Sequence, residues 1–341
     1  MIGGSWISTE RFNRGLRIAP AVLLYPMLMV APQTARADDV ETWLNRMTNA
    51  VERYNYRGTM ARRFDGRVEY MSVVHRFEDG QVSERIETLD GASRTLIRDE
   101  NGVRCVWPDS KAVLYQDPAS VSGVIGRVPI SLTRMRGQYD AVLVRMGERV
   151  ADRKTVQLAL RPHDEFRYGH RVWLEKSTAL PLKTELLDEL GRVIDETRFV
   201  SFTLEETIAD AEFELDINVS GFRQIGTMNA VPAKPRRVAA RPDDAWLTQN
   251  LPAGFKLTHH SESEDGMTHL RFDDGMASVS VFIEDVEPDG KLMAGASRLG
   301  GTHTYSVQAA GRQVTAVGEI PLTTARAIAE AISRSEIPTT P

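Results

Sequence analysis

Cysteine is almost missing from this chain. Cys105 is the single one in 341 residues, so no internal disulfide forms and an exported form has to be held by core burial alone. Its setting, NGVRCVWPDSKAVLY, alternates like a strand, which reads the thiol as a small buried hydrophobe rather than a redox centre. Catalytic signatures are missing as well: there is no G-x-S-x-G elbow, no G-x-x-x-x-G-K-[ST] phosphate loop and no H-E-x-x-H helix. Among the seven histidines, His259 and His260 are adjacent and point to opposite faces of a strand, a poor arrangement for chelating one ion. His163 and His170 flank DEFRYG and can meet across a hairpin in a structural role. The acidic pair Asp273–Asp274 sits beside Gly275, where solvated turn carboxylates are expected rather than a glycosidase pair. Nothing here demands an enzyme, a cofactor or a metal.

Long apolar runs are also scarce. The run at the front, IAPAVLLYPMLMVA (18–31), follows Arg11, Arg14 and Arg17 and precedes ARA (35–37). It is shorter than the roughly 20 residues a spanning helix needs, and Pro20 and Pro26 interrupt it. That order predicts a secretory leader over 1–37, cut after Ala37, with the mature chain soluble outside the cytoplasm. No cysteine follows the cut, so no lipid-modified N-terminus is indicated. Removal leaves 304 residues, enough for two domains. The leader holds four Arg and one Glu, so its loss takes the net charge from −5 to −8, which argues against nonspecific nucleic-acid binding.

What the mature chain does contain is one helix followed mostly by strands. DDVETWLNRMTNAVERYNY places Val40, Trp43, Leu44, Met47, Val51 and Tyr54 at helical spacing, with Asp39 as N-cap. After Gly58 the period changes to two. Asp-Gly at 65–66, 79–80 and 90–91 and Asn-Gly at 101–102 supply the positive φ of two-residue hairpins, so the pattern predicts an antiparallel meander. Its pieces have one apolar and one polar side, as suits a sheet curved around a helix. A long loop with one helical turn is expected over 118–137. Strands resume through KTVQLALRP and YGHRVWLEKSTALPLKTELLDELGRVIDETRF, where Val156, Leu158 and Leu160 share a face, as do Val172 and Leu174.

Residues 217–245 include MNAVPAKPRRVAARPDD, rich in proline and basic residues, and read as a linker between a first domain over 38–216 and a second over 246–336. The second unit centres on MTHLRFDDGMASVSVFIED, two strands joined near Asp274–Gly275. RQVTAVGEIP adds another strand and LTTARAIAEAISR a helix capped by Thr323 or Thr324, giving a small α+β domain.

A curved sheet crossed by a helix can keep a cavity. Each methylene withdrawn from water is worth about 0.8 kcal/mol, so an acyl chain with about ten buried methylenes gains about 8 kcal/mol before ordering costs. That matches a reversible site of micromolar order. The same side chains can equally pack against one another and leave no space.

The stretch 168–199 resembles the W-L-D-x-x-T-G-L-P-L-K hairpin of the RseB/MucB family, periplasmic regulators of the sigma-E envelope-stress pathway. The likeness extends in order to WLNRMTNAVERYNYRGTM, VRCVWPDSKAVLY, DDGMASVSVFIE and VTAVGEIP, across both domains. Glu175 stands for the usual Asp, Ala179 for the turn Gly and Asp152 where the family tends to have Gly. The resemblance implies an α+β protein with a LolA/LolB-like half-open antiparallel β-barrel and a smaller α+β C-terminal domain. It also implies a non-enzymatic sensor that grips the periplasmic domain of an RseA/MucA-type anti-sigma factor, shields it from proteolysis, and lets go when lipoprotein or lipopolysaccharide is sensed. The alternative is a periplasmic lipoprotein carrier, which lacks the second domain. Expected cavity residues are Trp43, Leu44, Met47, Val73, Val156, Leu158, Val172, Leu174 and Leu182. The expected partner contact is the hairpin carrying Asp274, Gly275, Ser278, Ser280 and Phe282. Whether copies of the chain form a homo-oligomer stays open.

Overall fold

The computed structural model describes residues 37–50, 52–116, 135, 137–225, 250–262, 266–286, 294–309 and 311–334. The expected leader up to residue 36, most of the expected loop over 118–137 and the linker beyond 225 lie outside the described residues.

Helix α1 (Ala37–Ala50) buries Val40, Leu44, Met47 and Ala50, one side of its 3.6-residue period, and leaves Glu41, Asn45 and Asn49 exposed. It stops short of the expected end. Asn55 already belongs to the first strand, donating from Nδ2 to the Glu206 carbonyl while its Oδ1 accepts from the Phe77 amide. Tyr54 therefore lies in the connection and does not continue the helical stripe.

Among the described residues the first sheet has twelve strands: β1 (Asn55–Phe64), β2 (Arg67–Glu78), β3 (Gln81–Thr88), β4 (Thr95–Asp99), β5 (Gly102–Trp107), β6 (Ala112–Gln116), β7 (Tyr139–Val150), β8 (Arg153–Pro162), β9 (Gly169–Glu175), β10 (Pro181–Leu187), β11 (Val193–Glu205) and β12 (Arg223–Ile225). Its order is β12-β6-β5-β4-β3-β2-β1-β11-β10-β9-β8-β7, an open sheet in which two meanders meet at the β1–β11 pair. All neighbours run antiparallel except β12, which lies parallel to β6. The stretch assigned to the linker from sequence thus gives its residues 223–225 to this sheet.

Two of the four expected hairpin turns have both central residues left-handed: Asp65 and Gly66 at φ 45° and 72°, and Asp79 and Gly80 at 50° and 78°. At 90–91 and 101–102 only the glycine has positive φ. The former lies in a longer connection, where the Asp90 carboxylate accepts from the Tyr70 amide. The β7–β8 hairpin uses Ala151 and Asp152 at 45° and 62° instead.

The second sheet comprises β13 (Lys256–Glu262), β14 (Thr268–Asp273), β15 (Ser278–Asp285), β16 (Gly295–Leu299), β17 (Thr302–Ala309) and β18 (Arg312–Glu319), in the order β13-β14-β15-β18-β17-β16. Helix α2 (Leu322–Arg334) packs on β17 and β18, and Ile328, Ala329 and Ile332 close a core with Leu270, Phe272, Val279, Val281 and Val314. Thr323 and Thr324 do not cap α2 through their side chains. Their hydroxyls donate to the carbonyls of Glu165 and Phe166 in the β8–β9 connection, at 3.2 and 2.7 Å.

Candidate functional site

Beneath α1 lies an apolar cluster built from three elements. Val40, Leu44 and Met47 descend from the helix, Val156, Leu158 and Leu160 rise from β8, and Val172 and Leu174 from β9. Tyr139 and Met135 complete it, with Trp43 packed on its margin. Of the residues expected to line a cavity, Trp43, Leu44, Met47, Val156, Leu158, Val172 and Leu174 are therefore brought together here. Val73 and Leu182 are not. They belong to a second cluster with Tyr56, Met60, Trp173, Phe199 and Phe202, because β2 and β10 lie on either side of the β1–β11 pair.

The helix is anchored over the β9–β10 turn by polar contacts. Arg46 donates to the carbonyls of Lys176 and Ser177 at 3.3 and 2.8 Å, and its guanidinium lies 4.3 Å from the Trp43 ring. Glu175 organises that turn: its Oε2 accepts from the amides and hydroxyls of Ser177 and Thr178 at 2.6–2.9 Å. Burial pushes the Glu175 carboxyl up, but those donors outweigh it and leave its pKa below the usual value. Ala179, where the resembled hairpin has Gly, is held at φ 63° and fully buried.

The second sheet reaches this cluster. Its β14–β15 turn carries Met276 into the apolar set beneath α1, leaving the side chain 4% exposed. Asp274 shapes the turn, with Oδ1 accepting from the Met276 and Ala277 amides at 2.8 and 2.7 Å. Its Oδ2 accepts from Arg167 Nε at 2.5 Å, both side chains being wholly buried. Arg167 also donates to Asp164 and to the Ala253 carbonyl, and lies 5.2 Å from the Phe255 ring. Beside this pair the Tyr139 hydroxyl is buried and, among the described residues, has no hydrogen-bond partner. Burial and the Asp274 charge raise its pKa far above the ordinary range, so it is a neutral O–H donor.

A second contact lies on the β16–β17 turn. Asp65 accepts from the Gly300 amide at 2.7 Å and from Arg298 at 3.2 Å, which lowers its pKa. Tyr168 and His303 share a 3.0 Å bond, and a Cβ at Gly301 would sit 2.7 Å from Leu186.

The expected partner-contact residues divide along the hairpin. Asp274, expected from sequence to be a solvated turn acid, is instead buried, because Arg167 and two amides surround its carboxylate. Ser278 is also buried, while Ser280 and Phe282 stand half-exposed on the face of β15 opposite Val279, Val281 and Ile283. There Phe282 stacks on His269 at 4.6 Å and Ser280 bonds it at 3.1 Å. Sequence reading passed over Arg167, Tyr139 and Met276. The available signal for the last was an apolar residue directly after a turn glycine, in DDGMAS. Among the described residues no group of three or more His, Cys, Asp or Glu side chains is placed to hold a metal, and no helix is long and apolar enough to cross a membrane.

The family model described as the MucB/RseB N-terminal domain matches residues 39–217, and that of the MucB/RseB C-terminal domain matches 240–333. The chain belongs to the MucB/RseB family. The "Sigma factor AlgU regulatory protein MucB" of Pseudomonas aeruginosa is 32% identical over 342 residues, covering 93% of this chain and 98% of the relative. The "Sigma-E factor regulatory protein RseB" of Escherichia coli is 24% identical, covering 85% and 89%. Among solved structures, MucB in the Pseudomonas aeruginosa MucA/MucB complex is similar with a TM-score of 0.64 and 28% identity, covering 85% of this chain and 97% of that one. A crystal structure of MucB in complex with MucA(peri) matches equally, at 0.64 and 29%. In this MucB/RseB-family chain the two matched stretches leave 218–239 between them, and β12 falls in that gap.

Proposed function

We propose that this protein is a periplasmic negative regulator of sigma-E-type signalling. It binds the periplasmic domain of an RseA/MucA-type anti-sigma factor, shields that domain from proteolysis, and releases it on sensing an acylated lipoprotein or lipopolysaccharide. The observation that carries this reading is the likeness over both domains to a MucB solved with MucA. In this reading the first domain is a LolA-like half-open barrel whose lipid site is the core beneath α1, and the second, from 246 to 336, supplies partner contacts through Ser280 and Phe282. Release on sensing requires lipid to bind the free form more tightly than the complexed one, since equal affinity shifts nothing. The test is protection: the anti-sigma periplasmic domain is exposed to its site-1 protease with and without this protein. Slower cleavage in its presence, restored by lipopolysaccharide, is expected, and unchanged cleavage in its presence overturns the reading.

A further inference from the structure

The cluster beneath α1 has two features that a purely structural core does not need. Met276 reaches it from the other domain, and the turn that presents it is fixed by Asp274. The Tyr139 hydroxyl, 97% buried by its 3% exposure, has no partner among the described residues, although a buried hydroxyl ordinarily finds one. The Arg167–Asp274 pair beside it is saturated by other contacts, with Asp274 accepting from two amides and Arg167 donating to Asp164 and Ala253. A ligand that brings a carbonyl oxygen would give this hydroxyl its missing acceptor, and a ligand that brings an alkyl chain would compete with Met276 for a place in the apolar set.

From this placement we infer that the core beneath α1 is a site for an acyl chain joined through an ester or amide, in which Tyr139 donates to the acyl carbonyl and Met276 yields its seat to the chain. The inference rests on the lipid-sensing reading above and names its address. Met276 is then both a plug and a messenger. It occupies the site when the ligand is absent, and its expulsion loosens the β14–β15 turn that ties the second domain to the first. Lipid and the docked second domain compete for one apolar volume, so occupancy by one disfavours the other. Tyr139 sets the chemical class, because a hydroxyl donor rewards a carbonyl and gives nothing to a bare alkyl group.

The full mature chain, labelled with ¹³C at its methionine methyl groups, is titrated with two twelve-carbon probes sharing one head group. One is joined through an ester and the other through an ether, both below their micelle concentrations. Tyr139→Phe and Met276→Leu accompany the native protein, the latter to assign the Met276 resonance. The ester is expected to bind about tenfold more tightly than the ether, as a hydrogen bond to a buried donor would give. Tyr139→Phe removes that preference without loss of stability, because a buried hydroxyl with no acceptor costs free energy in the ligand-free core. The Met276 methyl moves to its solvent-exposed shift in step with ester occupancy, while that of Met71, outside the cluster, stays. Saturable binding with equal affinity for ester and ether, or with an unmoved Met276 methyl, overturns the inference and leaves lipid sensing standing. No saturable binding of either probe overturns the lipid-sensing reading itself, and the inference with it.

Discussion

Arg167 Nε and Asp274 Oδ2 meet at 2.5 Å across the boundary of the two sheets, with both side chains wholly removed from solvent. A buried pair of this kind contributes little net stability over an apolar replacement, but its halves cannot be separated cheaply. Arg167→Met strands the Asp274 carboxylate and is expected to lower unfolding free energy by about 3–5 kcal/mol. Adding Asp274→Asn, which keeps an acceptor for the Met276 and Ala277 amides, should recover about 1–3 kcal/mol of that loss, as coupled neighbours do. Urea denaturation of the four proteins in the cycle measures the coupling, and simple additivity would show that the pair is not a tie between the two sheets.

Glu175 gives a pH-dependent contribution. Its folded pKa lies below the ordinary 4.5 because Ser177 and Thr178 donate to it, so its stabilising effect is complete above that value and is lost as pH falls through the lowered one. Glu175→Gln should cost about 2 kcal/mol at pH 7, the worth of hydrogen bonds to a charged acceptor, and flatten the acid limb of the stability curve. Thermal melts between pH 3 and 7 check both effects together.

Gly58 is required by backbone proximity rather than by its φ. A Cβ there would lie 2.2 Å from the Ser201 carbonyl oxygen and 2.9 Å from the Phe199 ring. Since the clash is with backbone of the paired strand β11, Gly58→Ala is expected to cost at least about 3 kcal/mol and to weaken the β1–β11 pair where the two meanders join. Amide exchange of β1 would reveal it, and native-like protection would contradict it.

Ala179 sets two effects of similar size against each other. Gly relieves a left-handed backbone that costs an alanine about 1 kcal/mol, but removes a buried methyl worth about 0.8 kcal/mol. Ala179→Gly should therefore leave the melting temperature nearly unchanged. Ala179→Val, β-branched at positive φ in a closed space, should lower it by many degrees.

Periodicity made α1 and the strands of the first sheet legible, and with them the residues that share a face. Val40, Leu44 and Met47 at helical spacing and Val156, Leu158 and Leu160 at strand spacing converge in one cluster. Which strands stand over which part of the sheet was not legible. Val73 and Leu182 alternate as correctly as Val172 does, yet strand order sends them to another cluster. Asp-Gly marked the turns at 65–66 and 79–80, but at 90–91 side-chain bonds from Asp90 and Thr88 built a longer connection. The contacts of Arg167 with Asp274 and of Met276 with α1 join residues more than a hundred positions apart. No local pattern encodes them.

Reciprocal binding is the most direct test of coupling between lipid and partner. The periplasmic domain of the anti-sigma factor is titrated calorimetrically into this protein, first alone and then saturated with a twelve-carbon acyl ester. Affinity weaker by at least about tenfold in the saturated protein is expected, within the ordinary range of coupling between two sites. Equal affinity in the two titrations would mean that lipid occupancy and partner binding are independent, and would contradict release on sensing.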